Sequence, residues 1–286
     1  MNFPPITLIK PMKAHKYNPV KVVRPGFLQP KLNGLRALWN GVTLNSYNLE
    51  EWHPSVLHHI TTALYDLGLS DILVDGELYT HGQSLQWINS RASINRKRTH
   101  KESHLVQFHI FDVVSTSPFK DRVNILKHIE RALMNNPDLP IRVCPTYEFT
   151  SEHDENTIFK LCRKEGYEGM IYRQPDEEYG RLANCGNKEN RWWKLMKRKF
   201  WEDMDAEIVE CIEGKGKFTG SLGAFRCEGE NGSTFQVGTG EALTHEMRQQ
   251  YWNRRESLIG KKCKVVYEML SDSKVPLKPV VEVVYE

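Results

Sequence analysis

No stretch of the chain approaches the roughly 20 consecutive apolar residues that a membrane-crossing helix needs, so nothing in it reads as a span. The N-terminus, Met1 to Lys16, has no apolar core of the kind a secretory signal carries, which makes the cytoplasm the expected compartment. Cysteine is scarce and scattered: Cys144, Cys162, Cys185, Cys211, Cys227 and Cys263, with no Cys-x-x-Cys pair. A disulfide or zinc framework would gather its cysteines at short spacings. Reduced, partly buried thiols in a reducing compartment fit better. Internal repeats and low-complexity segments are also missing. The net charge is only +3, too small by itself to point to a nucleic-acid partner.

What is present is a folded-protein balance, 40% apolar and 26% charged, over 286 residues, enough for one large domain or two ordinary ones. The cations are unevenly placed. Lys10, Lys13, Lys16, Lys21, Arg24, Lys31 and Arg36 form one run; Arg91, Arg96, Lys97, Arg98 and Lys101 a second. Lys188, Arg191, Lys194, Lys197, Arg198 and Lys199 form a third. One such run is usually a solvated face, but three on one surface would make a track for a phosphate backbone.

Residues 6 to 30 are punctuated by proline and read as extended. A strand–turn–strand follows over Leu35 to Leu44, with Asn40-Gly41 at the turn. Helical periodicity covers His53 to Leu69, Arg122 to Met134 and Asp154 to Lys164; strands are predicted over Ile72 to Tyr79, Val106 to Val114 and Gly169 to Arg173. After about residue 201 the texture changes to short strands: Ala206 to Ile212, Leu222 to Glu228, Ser233 to Val237, Lys262 to Tyr267 and Val280 to Tyr285. One helical interval, Leu243 to Ser257, interrupts them. These patterns predict a mixed α+β domain with antiparallel sheets over 1–201 and a small OB-fold β-barrel over 202–286.

The sharpest chemistry-bearing segment is Lys31-Leu32-Asn33-Gly34-Leu35-Arg36, which alone is indistinguishable from a surface turn. Its company raises it: Asp75-Gly76-Glu77, Phe108-His109-Ile110-Phe111-Asp112, Glu168-Gly169-Met170, and Trp192 to Lys199, in that order. This succession resembles the covalent nucleotidyltransferases, and within them the minimal ATP-dependent DNA ligases of phages and bacteria. The resemblance covers essentially the whole chain; Glu213 to Lys217, Leu222-Gly223-Ala224 and Val237 to Gly240 resemble the ligase OB domain.

The resemblance implies an ATP-grasp-like nucleotidyltransferase domain in which Lys31 takes AMP from ATP. A lysine attacks phosphorus only as the neutral amine, which neighbouring cations and burial favour. Arg36, Lys197 and Lys199 are the cations expected near it, and Lys197 and Lys199, two apart on a strand, would share one face. There they would offset charge on the α-phosphate. The resemblance further implies that Glu77 lies near the ribose and that Glu168, with Glu77, serves a divalent cation, Mg²⁺ or Mn²⁺. Phe111 is expected to stack on adenine with Met170 as the opposite apolar wall, and Gln29 to lie near the adenine amino group.

Three departures stand out. Asn33 replaces the usual aspartate of Lys-x-Asp-Gly, keeping an acceptor but losing the charge. Ser46-Tyr47 stands where Ser-Arg is common in that family, so one phosphate or substrate contact is expected to be missing. In Lys274 to Pro279, Leu277 occupies an arginine position, leaving Lys274 or Lys278 to orient pyrophosphate as a point charge. Only 30 residues precede Lys31, and Gly229-Glu230-Asn231-Gly232 is too short for a clamp loop. DNA is then expected to be held by closure of two domains and by the basic runs, weakly and with strong salt dependence. The Gly214 to Gly220 segment is not a phosphate loop, since its glycines and lysines are in the wrong order.

The expected activity is sealing of 5′-phosphate/3′-hydroxyl nicks in duplex DNA by a monomer, through lysyl-AMP and an adenylylated strand. The alternatives are an RNA ligase or a ligase for RNA-containing ends, a GTP-using capping guanylyltransferase, and an inactive nucleic-acid-binding module.

Overall fold

Prolines at 11, 19, 25 and 30 keep the first thirty residues out of long helix. Two short strands form there instead: β1 (Ala14–Lys16) and β2 (Gly26–Lys31). The computed structural model describes residues 6–179 and 192–285. They divide into two units, Met1–Lys199 and Phe200–Glu286, against a boundary expected near residue 201.

In the first unit the predicted hairpin is β3 (Leu35–Trp39) and β4 (Leu44–Ser46). The Asn40 side chain shapes its turn by accepting the Val42 and Thr43 backbone N–H groups at 3.1 and 2.7 Å. There follow α1 (His58–Asp66), β5 (Val74–Tyr79), α2 (Leu85–Ala92), β6 (Gln107–Val113) and α3 (Phe119–Met134). The unit continues with β7 (Ile141–Val143), β8 (Tyr147–Phe149), α4 (Glu152–Lys164), β9 (Gly169–Arg173) and β10 (Trp192–Lys199). Helix α2 was not anticipated. It is short, and its signal was the Ser84 N-cap, which accepts the Trp87 N–H.

Two five-stranded sheets result, ordered β1-β10-β9-β2-β8 and β4-β3-β5-β6-β7. All their pairings are antiparallel except β1 with β10 and β6 with β7, as the α+β reading required. Helix α4 closes the outer face of the first sheet, where Ile158 and Phe159 pack on Leu28, Met170, Tyr172 and Met196. Its start is fixed by a reciprocal capping box between Ser151 and Asp154. Helices α1, α2 and α3 cover the second sheet through Ile60, Leu64, Ile88, Leu126 and Ile129.

A buried set of four charges ties elements of both sheets together. Arg122 of α3 pairs with Asp112 of β6 at 2.8 Å and with Glu177 at 3.0 Å; Arg173 of β9 pairs with Glu177 at 2.9 Å and also with Asp112. Burial opposes the charge on Asp112, yet Arg173 and Arg122 hold its carboxyl below the usual range. Two cations against two anions leave no uncompensated charge within this set.

The second unit contains β11 (Glu202–Glu213), β12 (Leu222–Gly229), β13 (Thr234–Val237), α5 (His245–Asn253), α6 (Arg255–Leu258) and β14 (Lys262–Tyr267). A small hairpin, β15 (Met269–Leu270) with β16 (Pro276–Leu277), precedes β17 (Val280–Val284). The five long strands form one sheet ordered β13-β12-β11-β14-β17. Alternation along the strands buries Ile208, Phe225, Val237, Val265 and Val281 on one face. The Val281 N–H donates to the Thr239 carbonyl at 2.8 Å, so the sheet curls until its outer strands nearly meet. This is the predicted OB arrangement, with one backbone bond among the described residues where a closed barrel would have a ladder.

Candidate active site

The segment Lys31 to Arg36 is where the chain crosses from one sheet to the other. Lys31 ends β2 in the first sheet, and Arg36 lies in β3 of the second. Gly34 permits the crossing: a Cβ there would stand 2.1 Å from the Leu78 carbonyl oxygen.

Register then fixes which side chains meet. In β2-β9-β10, Lys31, Gly169 and Lys199 form one cross-strand row; Gln29, Ile171 and Lys197 form the next row on the same face. A Cβ on Gly169 would lie 2.2 Å from the Arg198 carbonyl, so only glycine allows this close approach. Glu168, the residue before it, bridges the row: one carboxylate oxygen accepts from Lys31 Nζ and the other from Lys199 Nζ at 2.5 Å. Lys197 and Lys199 thus share a face as expected.

The second sheet supplies the facing wall. Arg36 is opposite Glu77 in the β3–β5 ladder. Arg36 grips Asp75 with two hydrogen bonds, Nε to Oδ1 at 3.0 Å and Nη2 to Oδ2 at 2.5 Å. Asp75 also accepts from Tyr179. Glu77 Oε1 accepts the Gly34 N–H at 3.1 Å. Burial pushes the Glu77 carboxyl up to about 7, against the pull of Lys31, Arg36 and that N–H.

Strand alternation turns Phe111 away from the buried Phe108 and Ile110 onto this wall, and an irregularity brings Asp112 there as well. Asp75 pairs with Asp112 and Gly76 with Ile110, which leaves Phe111 as the extra residue of a β-bulge, a device that re-aims a side chain. Phe108, three residues earlier, is wholly buried core. The Arg36 guanidinium lies 5.4 Å from the Phe111 ring centroid. Gln29 Nε2 donates to the Phe111 carbonyl at 2.9 Å and to Thr146 Oγ1 at 3.0 Å, so its amide is held.

Between the sheets lies a cavity of about 390 Å³, with Gln29, Lys31, Arg36, Glu77, Phe111 and Lys197 among its walls. Six residues read from the sequence therefore converge on it, while Glu168 and Lys199 adjoin it through Lys31. Met170 does not. Strand alternation puts Met170 beside Leu28 and Tyr172 under α4, fully buried on the opposite face. Ile171, one residue on, is the apolar wall. Sequence reasoning also missed Asp75 as the partner of Arg36, and Arg173, whose guanidinium approaches Gln29 Oε1 at 3.4 Å.

A divalent cation fits this site only with help from a ligand. Among the described residues no three His, Cys, Asp or Glu side chains converge to cage a metal. Glu168 is one carboxylate, and Mg²⁺ sites commonly combine one or two carboxylates with substrate phosphates and water.

The other expected contributors are dispersed. Lys278, beside Leu277 in the second unit, pairs with Glu268 at 2.7 Å. Of the third basic run, Lys188 and Arg191 lie outside the described residues, and Lys194 and Arg198 pair with Asp176 and Glu155. Arg24 and Arg91 are likewise matched by Glu155 and Glu102.

Residues 11–196 match the model of the ATP dependent DNA ligase domain, and residues 213–284 that of the DNA ligase OB-like domain. The chain is 27% identical over 272 residues to the DNA ligase of African swine fever virus (isolate Warthog/Namibia/Wart80/1980), covering 85% of this chain and 59% of that protein. It therefore spans about three-fifths of the length of that relative. It is 21% identical over 232 residues to the DNA ligase of Haemophilus influenzae, covering 80% of this chain and 77% of the relative. In fold it is similar to a Lig E DNA ligase structure, with a TM-score of 0.74 and 22% identity over 98% of this chain and 100% of that one. With the ligase domain model spanning well over half its residues, the chain belongs to the ATP-dependent DNA ligase family.

Proposed function

We propose that this protein seals nicks in duplex DNA with ATP, using Lys31 as the nucleophile. The observation that carries the reading is the row Lys31–Gly169–Lys199, bridged by Glu168 and set beside a cavity with room for a nucleotide. In the first step Lys31 Nζ bonds to the α-phosphorus of ATP, the bond to the β-phosphate oxygen breaks, and pyrophosphate leaves. The AMP then moves to a 5′-phosphate, and a 3′-hydroxyl displaces it.

The side chains support distinct parts of this chemistry. Phe111 and Ile171 offer apolar surface for a base, and Gln29 a fixed amide at its edge. Glu77 faces the site between Gly34 and Arg36, suited to a ribose hydroxyl. Lys197 presents charge to the phosphate from the cavity wall, and Lys199 adds to it once Glu168 lets it go. A divalent cation held by Glu168 and the phosphates would add positive charge where pyrophosphate departs. By engaging Glu168 it would also draw that carboxylate away from the two lysines.

The test offers the full chain α-labelled ATP or GTP with Mg²⁺, then nicked duplexes with DNA or RNA at the ends. Wild type is expected to take label from ATP and chase it into sealed DNA, and Lys31→Ala to take none. Label from GTP alone would point to capping instead, and sealing only of RNA ends to an RNA ligase. Undiminished label on Lys31→Ala would sink the proposed mechanism.

A further inference from the structure

Lys13 forms part of the cavity wall, one residue before β1, and Tyr47 another part, one residue after β4. The Lys13 ammonium lies 4.4 Å from the centroid of the Tyr47 ring. Both β1 and β4 are outermost strands of their sheets, so this contact joins the two sheets along one margin of the cavity.

Two features make the arrangement more than a surface lysine near a ring. First, it is braced. Arg36 donates to the Met12 carbonyl at 2.5 Å, which pins the backbone next to Lys13 while the ring holds the tip. Second, its charge is not matched. Lys31 and Arg36, which face the same space, already have Glu168 and Asp75, whereas Lys13 makes no ion pair with a carboxylate among the described residues. An ammonium over an aromatic face keeps N–H donors for another acceptor. An anion entering the cavity therefore meets Lys13 without displacing a carboxylate.

We propose that Lys13 is a phosphate-contacting residue of this cavity and that Tyr47 is the positioning residue that holds it there. The ligand chemistry is a phosphate monoester or polyphosphate, supplied either by the tail of ATP or by the 5′-phosphate of a nick. That choice of sources rests on the ligase reading; the phosphate contact itself does not.

The experiment measures equilibrium binding by the full chain and therefore does not require turnover. The ligands are α,β-methylene-ATP, adenosine, and nicked duplexes with and without a 5′-phosphate. Lys13→Met is expected to weaken binding about ten-fold wherever Lys13 touches the phosphate, with Lys13→Arg retaining most of it. Adenosine and the unphosphorylated nick should not change. Loss with the ATP analogue alone assigns the nucleotide tail, and loss with the phosphorylated nick alone assigns the 5′-phosphate. Tyr47→Leu should give a smaller loss that disappears in the Lys13→Met background. Thermal unfolding of each variant guards against a folding defect. An equal loss for adenosine, no loss for either phosphate ligand, or no binding of any of them overturns the proposal. A wild type that binds these ligands yet never labels itself would refute the ligase reading and leave Lys13 decided by the same ratios.

Discussion

Met170 and Ile171 differ by one position and by everything that follows from the pleat. Truncating Met170 leaves a void among Leu28, Tyr172 and Met196, so Met170→Ala should cost about 2–5 kcal/mol of stability with little change in nucleotide affinity. Ile171→Ala should do the reverse, weakening ATP binding with a smaller loss of stability; denaturant titration and nucleotide binding on both variants check the pair. The motif order singled out Lys31, Glu77, Glu168 and the two lysines, which the structure gathers at or beside one cavity, but it could not tell which of two adjacent apolar residues faces that cavity. Glu77 carries a pH signature. Its carboxyl is raised from 4.5 to about 7, so the folded state binds the extra proton between those values and stability falls as pH rises through that window. Glu77→Gln keeps an acceptor for the Gly34 N–H and removes the ionisation. Its unfolding temperature should fall less than that of wild type between pH 5 and pH 8; parallel curves would refute the assignment.

Helix α5 is the element that the strand pattern of the second unit made visible only as an interval, and its role depends on one side chain. Arg248 reaches from α5 to four backbone carbonyls: Leu243 at 3.1 Å, Leu222 and Gly223 at 2.8 Å each, and Gly238 at 2.6 Å. Burial lowers its pKa, but at neutral pH the guanidinium remains charged and serves as a plug for acceptors at the ends of β12 and β13. Arg248→Leu would leave those carbonyls without this donor, and unfolding should report a loss of about 3 kcal/mol or more. A variant within 1 kcal/mol of wild type would show that water replaces the plug without penalty. The β-bulge at Phe111 belongs with this helix as a feature hidden from periodicity. Phe108-His109-Ile110-Phe111 reads as plain alternation, which already sets Phe111 on the face opposite Phe108 and Ile110; hidden from it is that the mismatch with Asp75-Gly76 brings Asp112, the next residue, to the cavity as well.

Over the chain as a whole, many cations counted in the sequence are already matched by carboxylates. Arg24, Arg91, Lys194 and Arg198 all have acidic partners, which leaves Lys10, Lys13, Lys16, Lys21, Arg96, Lys97, Arg98 and Lys101 of the three runs without one among the described residues. The salt dependence of nick binding should therefore come from that smaller set. Replacing Lys97, Arg98 and Lys101 together with alanine should flatten the slope of log affinity against log salt by roughly 0.9 for each lost phosphate contact. An unchanged slope would remove that run from the DNA-binding surface. The strand order also sets the sequence in which parts of the first unit can form as the chain is made. β1 pairs with β10, so Ala14 waits for Trp192 to emerge from the ribosome, and β2 with its Lys31 waits for β9. Closure over so long a loop is entropically late and slow. The cavity is therefore among the last parts of the first unit to exist during synthesis, and the nascent chain carries Lys31 long before the residues that surround it.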